Sequence, residues 1–557
     1  MKQLTCTTLA LAILPFVTSL GLFCPPTGPV LPPPVLLDAN GFDVGPLTDA
    51  LTKLVNDPDA PFNATINSFS LTITTLEDDI FQYHHTAPKK SEAGVSVVDG
   101  DTIYRIASVT KLFTTLSLLL QDGLDIDDFV WQHVPELAGL KKFEDITLRM
   151  LASHLSGVIR DGYNSEIAPR APPEVLSSLG FPNVTLPQDY PTCDSIGTAK
   201  CSRAEFISGI TREDLVWLPG NTPTYSNYAF VLLGYAVEAA TGNSLQDVIA
   251  ESIVQPLGMS AVSGLQIPED PSKIIIPDEG DVWATQDFNN WKATGGLFTT
   301  PNDLSRFLRG IMNHELLTRA QTSAWLKPAA FTASPTGATG MPWGILRPNN
   351  LKRASGTRPL EIYTMLGGFP NYGAYVGIIP EYQLGITVNY AGPGDDPLSR
   401  TLLDMAVQHV IPVFDDLARV QASETYVGSY NPGVDGGNSS LVLALDDGPG
   451  LKIAEWTSEG TSVSEAWLAL FGGSIGMVDV DMRIYPVGED ERWQVGFQGI
   501  PDRDVPGIFE TSCDGWFNFN AFRYAGLPGD VVHFVIDGNG IAIEAQVPGL
   551  RQNLTRV

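Results

Sequence analysis

The chain has 557 residues, of which 43% are hydrophobic and 17% charged, a composition typical of a folded protein and not of a disordered one. At roughly 150 residues per domain, this length suggests two to four domains, or one large domain with a smaller companion. Asp and Glu (63) outnumber Lys and Arg (33), and the resulting formal charge of −30 would repel nucleic-acid phosphates and anionic lipids. The sequence therefore predicts no nucleic-acid partner.

The N-terminus has the layout of a secretory signal peptide. Lys2 precedes an apolar run over residues 4–23, which is followed by a proline-rich segment. An uncleaved membrane anchor has a similar run, but Pro15 and the small residues that follow it favour cleavage, after which no stable membrane insertion is expected. We predict a signal peptide over residues 1–21, a proline-rich arm over 22–44 and a secreted, extracellular protein.

Glycosylation motifs and cysteines fit the same compartment. Four asparagines begin the acceptor pattern Asn-X-Ser/Thr, namely Asn63, Asn183, Asn438 and Asn553. Cys193 and Cys201 are eight residues apart in a polar loop, a spacing that predicts a local disulfide. With Cys6 in the signal peptide, Cys24 is left to pair with Cys513 by elimination.

The region after the arm mixes helical and strand patterns. A helix is predicted over residues 45–57, a strand from Phe69 and a second strand around Tyr83. The apolar run over residues 112–120 is too long for a typical strand and predicts a buried helix. Further helices are predicted at 230–240, 304–311 and 398–409, and strands at 375–379 and 384–390. Helices between antiparallel strands predict an α+β domain over residues 45–420.

The last part of the chain has a uniformly β pattern. Short strand-like runs separated by Gly, Pro and Asp turns occur at 441–445, 474–485, 493–497, 531–536 and 541–547. Residues 425–557 are therefore predicted to form a separate β-barrel or sandwich.

A candidate nucleophile lies where the extended segment 102–106 turns into the buried helix. Ser108 and Lys111 are three residues apart, so the ammonium of Lys111 can reach the hydroxyl of Ser108 on one helix face. A lysine whose pKa is lowered by burial can accept the serine proton, and the helix N-terminus offers backbone N–H groups to an oxyanion.

A second candidate motif is Tyr225-Ser-Asn227. A tyrosine hydroxyl between Ser108 and Lys111, with its pKa depressed beside a cation, would serve as general base and return the proton to a leaving group. Asn227 is predicted to orient Lys111.

These motifs resemble the serine β-lactamase and penicillin-binding-protein-like hydrolases, on the side that includes class C β-lactamases, family VIII esterases and secreted fungal homologues. The resemblance extends from about residue 69 to 411 and includes the blocks 146–157, 217–235, 255–259 and 294–304. It implies an α/β sandwich, an antiparallel sheet flanked by helices, with Ser108 as acylated nucleophile and Lys111 as its activator. Tyr225 and Asn227 would complete proton transfer. Some members of the family also carry a C-terminal barrel of lipocalin type.

The third family motif, usually Lys or His, then Thr or Ser, then Gly, reads Met365-Leu366-Gly367 here. The missing cation and hydroxyl argue against β-lactams or D-Ala-D-Ala peptides as preferred substrates. The oxyanion hole would survive, because its donors are the backbone N–H groups of Ser108 and Gly368. Met365 and Leu366 make the substrate-binding wall apolar, which suits an uncharged acyl or aromatic ester.

The predicted function is a secreted serine hydrolase that acts on a small uncharged ester or amide through an acyl-enzyme on Ser108. Two alternatives remain open: an acyltransferase of secondary metabolism that uses the same acyl-enzyme, and a catalytically inactive binding scaffold. No cofactor is expected, because serine acyl transfer needs none. No metal is expected either, because His and Cys residues lack ligand spacing. The sequence does not define the oligomeric state.

Overall fold

The computed structural model describes residues 24–36, 43–168, 171–188, 190–194, 199–354, 356, 358–393, 395–433, 437–472, 477–488, 490–501, 513, 515–517 and 519–557. The predicted signal peptide lies outside the described residues. The chain divides into two compact units. The larger unit comprises residues 33–353 and 357–415, and the smaller comprises 1–32, 354–356 and 416–557.

Helices are numbered in chain order through both units. Those of the described chain are α1 (Gly45–Val55), α2 (Thr110–Leu119), α3 (Val130–His133), α4 (Leu148–Ala152), α5 (Pro173–Ser178), α6 (Arg203–Arg212), α7 (Asn227–Thr241), α8 (Leu245–Ile249), α9 (Lys292–Gly295), α10 (Pro301–Met312), α11 (Arg319–Trp325), α12 (Asp395–Tyr426) and α13 (Val463–Trp467).

An antiparallel sheet of eight strands forms the centre of the larger unit. In chain order its strands are β1 (Ser68–Thr74), β2 (Asp79–His85), β5 (Ala330–Phe331), β6 (Gly337–Thr339), β7 (Gly344–Leu346), β8 (Ile362–Phe369), β9 (Tyr372–Ile379) and β10 (Leu384–Ala391). Their order across the sheet is β2-β1-β10-β9-β8-β7-β6-β5. A separate short pair joins β3 (Tyr104–Arg105) to β4 (Phe298–Thr299).

Helices cover both faces of this sheet, so β1, β9 and β10 are buried along their whole length. On one face, α1 and the first part of α12 pack against β1 and β10 through residues such as Leu51 and Leu402. On the other face, α2, α7 and α10 form a second core that includes Phe113, Leu232 and Phe307. The predicted α/β sandwich is confirmed.

The smaller unit is a closed antiparallel barrel. Its strands are β11 (Gly428–Asn431), β12 (Ser440–Ala444), β13 (Leu451–Ser458), β14 (Thr461–Ser462), β15 (Met477–Pro486), β16 (Arg492–Pro501), β17 (Arg523–Tyr524), β18 (Leu527–Pro528), β19 (Val531–Ile536), β20 (Ala542–Val547) and β21 (Gln552–Arg556). The order β12-β11-β21-β20-β19-β16-β15-β13 closes because β12 also pairs with β13. Trp456, Trp493 and Phe497 fill its interior. The predicted β-barrel is confirmed.

The structure corrects the end of one predicted helix. Residues 398–409 belong to α12, which continues through Pro412 to Tyr426. Proline lacks an N–H donor and clashes with the preceding turn, so a pattern based on propensity ends the helix before residue 412. Buried apolar side chains beyond it, including Phe414, Ala418 and Ala422, continue the packed face of the helix and outweigh that local cost.

Both predicted cysteine pairs are together in the structure. The Cα atoms of Cys193 and Cys201 are 5.0 Å apart, and those of Cys24 and Cys513 are 5.3 Å apart. These disulfides are consistent with an extracellular protein. The side chains of the four predicted glycosylation asparagines are exposed. Within the described ranges, no helix combines the length and the apolar character needed to cross a bilayer.

Candidate active site

The candidate nucleophile sits on a tight turn. Strand β3 leads into a single 3₁₀ turn, Ala107–Val109, and then directly into α2. Ala107 has φ = 46°, a left-handed conformation that a residue with a Cβ atom rarely adopts. The turn leaves Ser108 half-buried at the edge of a cavity, while Lys111 follows in the first turn of α2.

Lys111 is fully buried, and its amine contacts the nucleophile. Its Nζ atom lies 3.0 Å from Ser108 Oγ and donates a hydrogen bond of 2.8 Å to the backbone carbonyl of Thr294. Burial holds the pKa of Lys111 well below its usual value, with a smaller opposing effect from the carboxylate of Asp161. The neutral amine, which has a lone pair, is thereby favoured beside the serine.

The segment that supplies the Thr294 carbonyl is tied to α2 by two further hydrogen bonds. Thr114 Oγ1 donates to the carbonyl of Ala293 at 2.7 Å, and the backbone N–H of Leu297 donates to Thr110 Oγ1 at 3.1 Å. These contacts fix the acceptor of the lysine amine relative to the helix that carries the lysine.

Tyr225 approaches Ser108 from the other side. Its hydroxyl donates to Ser108 Oγ at 2.6 Å. Ser226 caps helix α7 by accepting from Ala229 N–H, which places Tyr225 immediately before the helix. The expected depression of the Tyr225 pKa is wrong, because burial dominates and raises it to about 12. The hydroxyl is therefore protonated at neutral pH and able to donate.

His154 supports this tyrosine. Its Nδ1 atom accepts a hydrogen bond of 3.2 Å from the backbone N–H of Ser226, and its ring centre lies 4.6 Å from that of Tyr225. Burial lowers the pKa of His154 to about 3, so the imidazole is neutral at physiological pH. The histidine positions Tyr225 without adding charge.

Asn227 contacts two residues that surround the lysine. Its Nδ2 donates to Asp161 Oδ1 at 2.5 Å, and its Oδ1 accepts from Thr294 Oγ1 at 3.3 Å. Thr294 is the residue whose carbonyl accepts the lysine N–H. That Asn227 orients Lys111 stays a prediction, for which these contacts offer a route through Thr294.

The middle of β8 forms the wall opposite α2. A Cβ atom added to Gly367 would lie 2.7 Å from the backbone nitrogen of Ser108 and closer still to the carbonyl oxygen of Ile106. Only glycine permits this approach. Gly368, Met365 and Leu366 all line the same cavity as Ser108.

Replacing Gly367 by alanine is expected to slow modification of Ser108 by an active-site probe about tenfold or more, because the new methyl group displaces the nucleophile turn. Gly377→Ala in β9 is the matched control, since its Cβ would meet its nearest atom at 3.4 Å, an ordinary contact. Labelling rates and thermal midpoints of both variants test this. Equal labelling by the two variants would contradict it.

The cavity has a volume of about 820 Å³. Its walls combine the site residues with apolar and aromatic side chains; the lining consists of Ser108, His154, Arg160, Thr222, Pro223, Tyr225, Asn227, Phe331, Thr332, Ala333, Thr339, Pro342, Trp343, Gly344, Leu346, Thr364, Met365, Leu366, Gly368, Tyr375 and Tyr390. This volume suits a small organic molecule.

Sequence reasoning did not identify four residues of this network. His154 and Thr294 lie in the blocks 146–157 and 294–304, which carried the family resemblance. The sequence therefore pointed to these segments, but not to the roles of the two residues. Arg160 and Asp161 lie just beyond the first block and match no motif. Only the fold shows that they adjoin Tyr225 and Asn227.

The fold and the arrangement of the site together place this chain among β-lactamase-like proteins. Residues 80–408, more than half of the chain, match the family described as Beta-lactamase, and the chain belongs to this family. Residues 418–557 match a second family, described as Beta-lactamase-like-like, C-terminal domain. The resemblance predicted from sequence is confirmed.

The chain is also similar to individual proteins. A β-lactamase-like protein of Arthroderma benhamiae is 28% identical over 582 residues, covering 95% of this chain and 95% of that protein. A probable hydrolase of Cochliobolus lunatus is 25% identical over 431 residues, covering 72% of this chain and 68% of that protein. Among solved structures, a class C β-lactamase mutant is similar at 18% identity and a TM-score of 0.49, covering 66% of this chain and 99% of that chain.

Proposed function

We propose that this protein is a secreted serine hydrolase that cleaves a small ester or amide through an acyl-enzyme on Ser108. The observation that carries the proposal is the contact of three groups: Ser108 Oγ lies 3.0 Å from the amine of Lys111 and 2.6 Å from the hydroxyl of Tyr225. A serine hydroxyl is a weak nucleophile unless a base is within hydrogen-bonding reach.

The opposite pKa shifts of Lys111 and Tyr225 support the proposed roles. The neutral amine of Lys111 accepts the Ser108 proton as Oγ attacks the substrate carbonyl carbon, while one of its own N–H groups stays bonded to the Thr294 carbonyl. The backbone N–H groups of Ser108 and Gly368 are proposed to stabilise the oxyanion. The protonated Tyr225 donates to the leaving group as the bond to the carbonyl carbon breaks, and the Lys111 ammonium returns a proton to the tyrosine.

Deacylation reverses these transfers. A water molecule takes the position of the leaving group and attacks the acyl carbon, passing a proton to Tyr225 as the tyrosine passes its own proton to the neutral amine of Lys111. The ester bond to Ser108 Oγ then breaks, and Oγ recovers its proton. Atoms and charges balance in both half-reactions, and no cofactor enters either.

The substrate is proposed to be uncharged where it faces β8. Met365 packs into the core that the sheet forms with α2, α7 and α10, whereas Leu366 packs against the core that it forms with α1 and α12, yet both border the cavity. Neither side chain offers a charge or a hydrogen bond to a substrate carboxylate, so an apolar acyl or aryl group fits this wall.

The proposed protein has two folded domains. The hydrolase domain spans residues 45–420 and the barrel residues 425–557, preceded by the signal peptide and the arm. Secretion, glycosylation of the four exposed asparagines and the two disulfides belong together in this scheme.

Treatment of the purified protein with a fluorophosphonate probe tests the activated nucleophile. We expect one adduct, which peptide mapping assigns to Ser108 and which Ser108→Ala abolishes. Ser156→Ala, at another serine of the same unit, is expected to retain the adduct. An unlabelled but folded protein would refute the acyl-enzyme proposal and leave the binding scaffold as the better description.

A further inference from the structure

Arg160 is the charged residue of the cavity wall. Among the described residues that line this cavity, it alone carries a formal charge at neutral pH. His154 is neutral there because its pKa is about 3, and no aspartate or glutamate belongs to the lining. Lys111 is fully buried beneath Ser108 and is not part of the wall. A substrate in this cavity therefore meets one exposed cation.

The main chain at Arg160 is held in place by the start of α7. Its backbone carbonyl accepts from the N–H groups of Asn227 and Tyr228, at 3.0 and 3.3 Å, at the start of α7. Its guanidinium carbon lies 5.0 Å from the ring centre of Tyr225, the residue whose hydroxyl contacts the nucleophile. The cation is thus one side chain away from Ser108.

Most of the guanidinium remains available. Nε pairs with Asp161 Oδ2 at 3.0 Å, and the side chain is 65% exposed. Within the described ranges, no residue accepts a hydrogen bond from the two terminal nitrogens, which carry four of the five N–H donors. Asp161 in turn is shared with Asn227, so it offsets the arginine charge only in part.

We propose that Arg160 binds a carboxylate of the substrate. The terminal nitrogens present parallel N–H donors that match the two oxygens of a carboxylate, a pairing stronger and more directional than one to a neutral oxygen. This inference deepens the proposed function and rests on it for the reaction. The substrate is then an ester or amide that is apolar toward Met365 and Leu366 and anionic toward Arg160.

In this arrangement, the cation that would recognise a substrate carboxylate lies on a different element from the third motif. The third motif on β8 has lost its cation, but Arg160, in the loop that follows α4, places a cation on the same cavity from the side of Tyr225. Specificity for an anion would then depend on Arg160 and not on the strand.

Binding to the Ser108→Ala variant tests the site without catalysis. One ligand pair is monophenyl glutarate and its methyl ester, with the carboxylate on the acyl side; the other is 3-(phenylacetoxy)benzoate and its methyl ester, with the carboxylate on the leaving group. In at least one pair, calorimetry is expected to show the carboxylate binding about tenfold or more tightly than its methyl ester. The preference is expected to disappear in Ser108→Ala/Arg160→Gln and to persist in large part in Ser108→Ala/Arg160→Lys.

Matched comparisons separate charge recognition from other effects. Arg160 also lowers the pKa values of Lys111 and Tyr225, but that influence is the same for a carboxylate and its methyl ester. Ser108→Ala/Arg149→Gln removes an exposed arginine paired with Asp127 and is expected to keep the preference.

The failures of the two proposals are distinguishable. A carboxylate preference that is absent from both pairs, or that survives Arg160→Gln, would overturn the role of Arg160 even if the fluorophosphonate labels Ser108. A preference that depends on Arg160 in a protein that the probe does not label would support the anion site and refute the hydrolase.

Discussion

Replacement of Lys111 by methionine is expected to slow acylation of Ser108 about 10³-fold or more in a protein that still folds. Methionine fills a similar volume but has no lone pair of comparable basicity, so the Ser108 proton has no acceptor 3.0 Å away. The rate of fluorophosphonate labelling, followed by intact mass, measures the effect. In the wild type, that rate is expected to fall as the pH is lowered through the Lys111 pKa, because protonation removes the lone pair.

Lys111→Met is also expected to change how the free energy of unfolding depends on pH. Because the folded protein holds the Lys111 pKa below that of the unfolded chain, the unfolded state binds more protons between these two values. The contribution of Lys111 to the free energy of unfolding therefore rises with pH toward about pH 10, the range in which an unfolded lysine titrates. Denaturant unfolding at several pH values is expected to show wild type gaining on Lys111→Met as the pH rises.

A control lysine makes this result specific. Lys273→Met, at an exposed position, is expected to change neither the labelling rate nor the pH dependence of stability. Labelling of Lys111→Met at the wild-type rate would show that another group activates the serine, and the proposed assignment of the base would fail.

Removal of the Tyr225 hydroxyl, by Tyr225→Phe, is expected to lower turnover of esters about 10²-fold or more. The phenol donates to Ser108 Oγ at 2.6 Å and, with a pKa raised to about 12, it holds the proton that the leaving group needs. The ring remains in place against His154, so the packing of the site is retained. Hydrolysis of aryl and alkyl esters, measured as kcat and KM, tests the role.

Comparing esters with different leaving groups tests the role of the phenol proton. In Tyr225→Phe, turnover of esters with poor leaving groups is expected to fall more than turnover of esters of acidic phenols, because only poor leaving groups require protonation as they depart. Tyr235→Phe removes a hydroxyl of α7 that donates to Asn290; it is expected to cost about 1 kcal/mol of stability without this pattern. An equal loss for all esters in Tyr225→Phe would argue against proton donation to the leaving group.

The parts of the site that are local in sequence could be predicted from it. Ser108 and Lys111 lie three residues apart at a helix start, so helix geometry alone brings them together. His154, Arg160 and Thr294 reach the site from loops and helix ends far along the chain, and only the fold defines those distances. The direction in which the Tyr225 pKa shifts could not be predicted from the sequence either. It depends on the balance between burial of the hydroxyl and the nearby charges.

The sheet and barrel followed from local patterns for a similar reason. Alternating and continuous apolar runs, as in β1 and β19, reflect burial that each strand carries in its own sequence. The length of α12 could not be predicted from local patterns, because Pro412 is expected to end a helix. The buried face that compensates for the proline, with residues such as Phe414, depends on tertiary packing.

The partner of the lysine amine is a main-chain carbonyl, and this has an evolutionary consequence. A carboxylate in that place would favour the ammonium form and could be lost by a single base change, whereas the carbonyl of Thr294 is neutral and is present whichever residue occupies the position. Sequence drift at 294 therefore leaves the lysine amine its acceptor. Insertions or deletions in or next to α9, which would shift the backbone itself, are the changes expected to displace this acceptor.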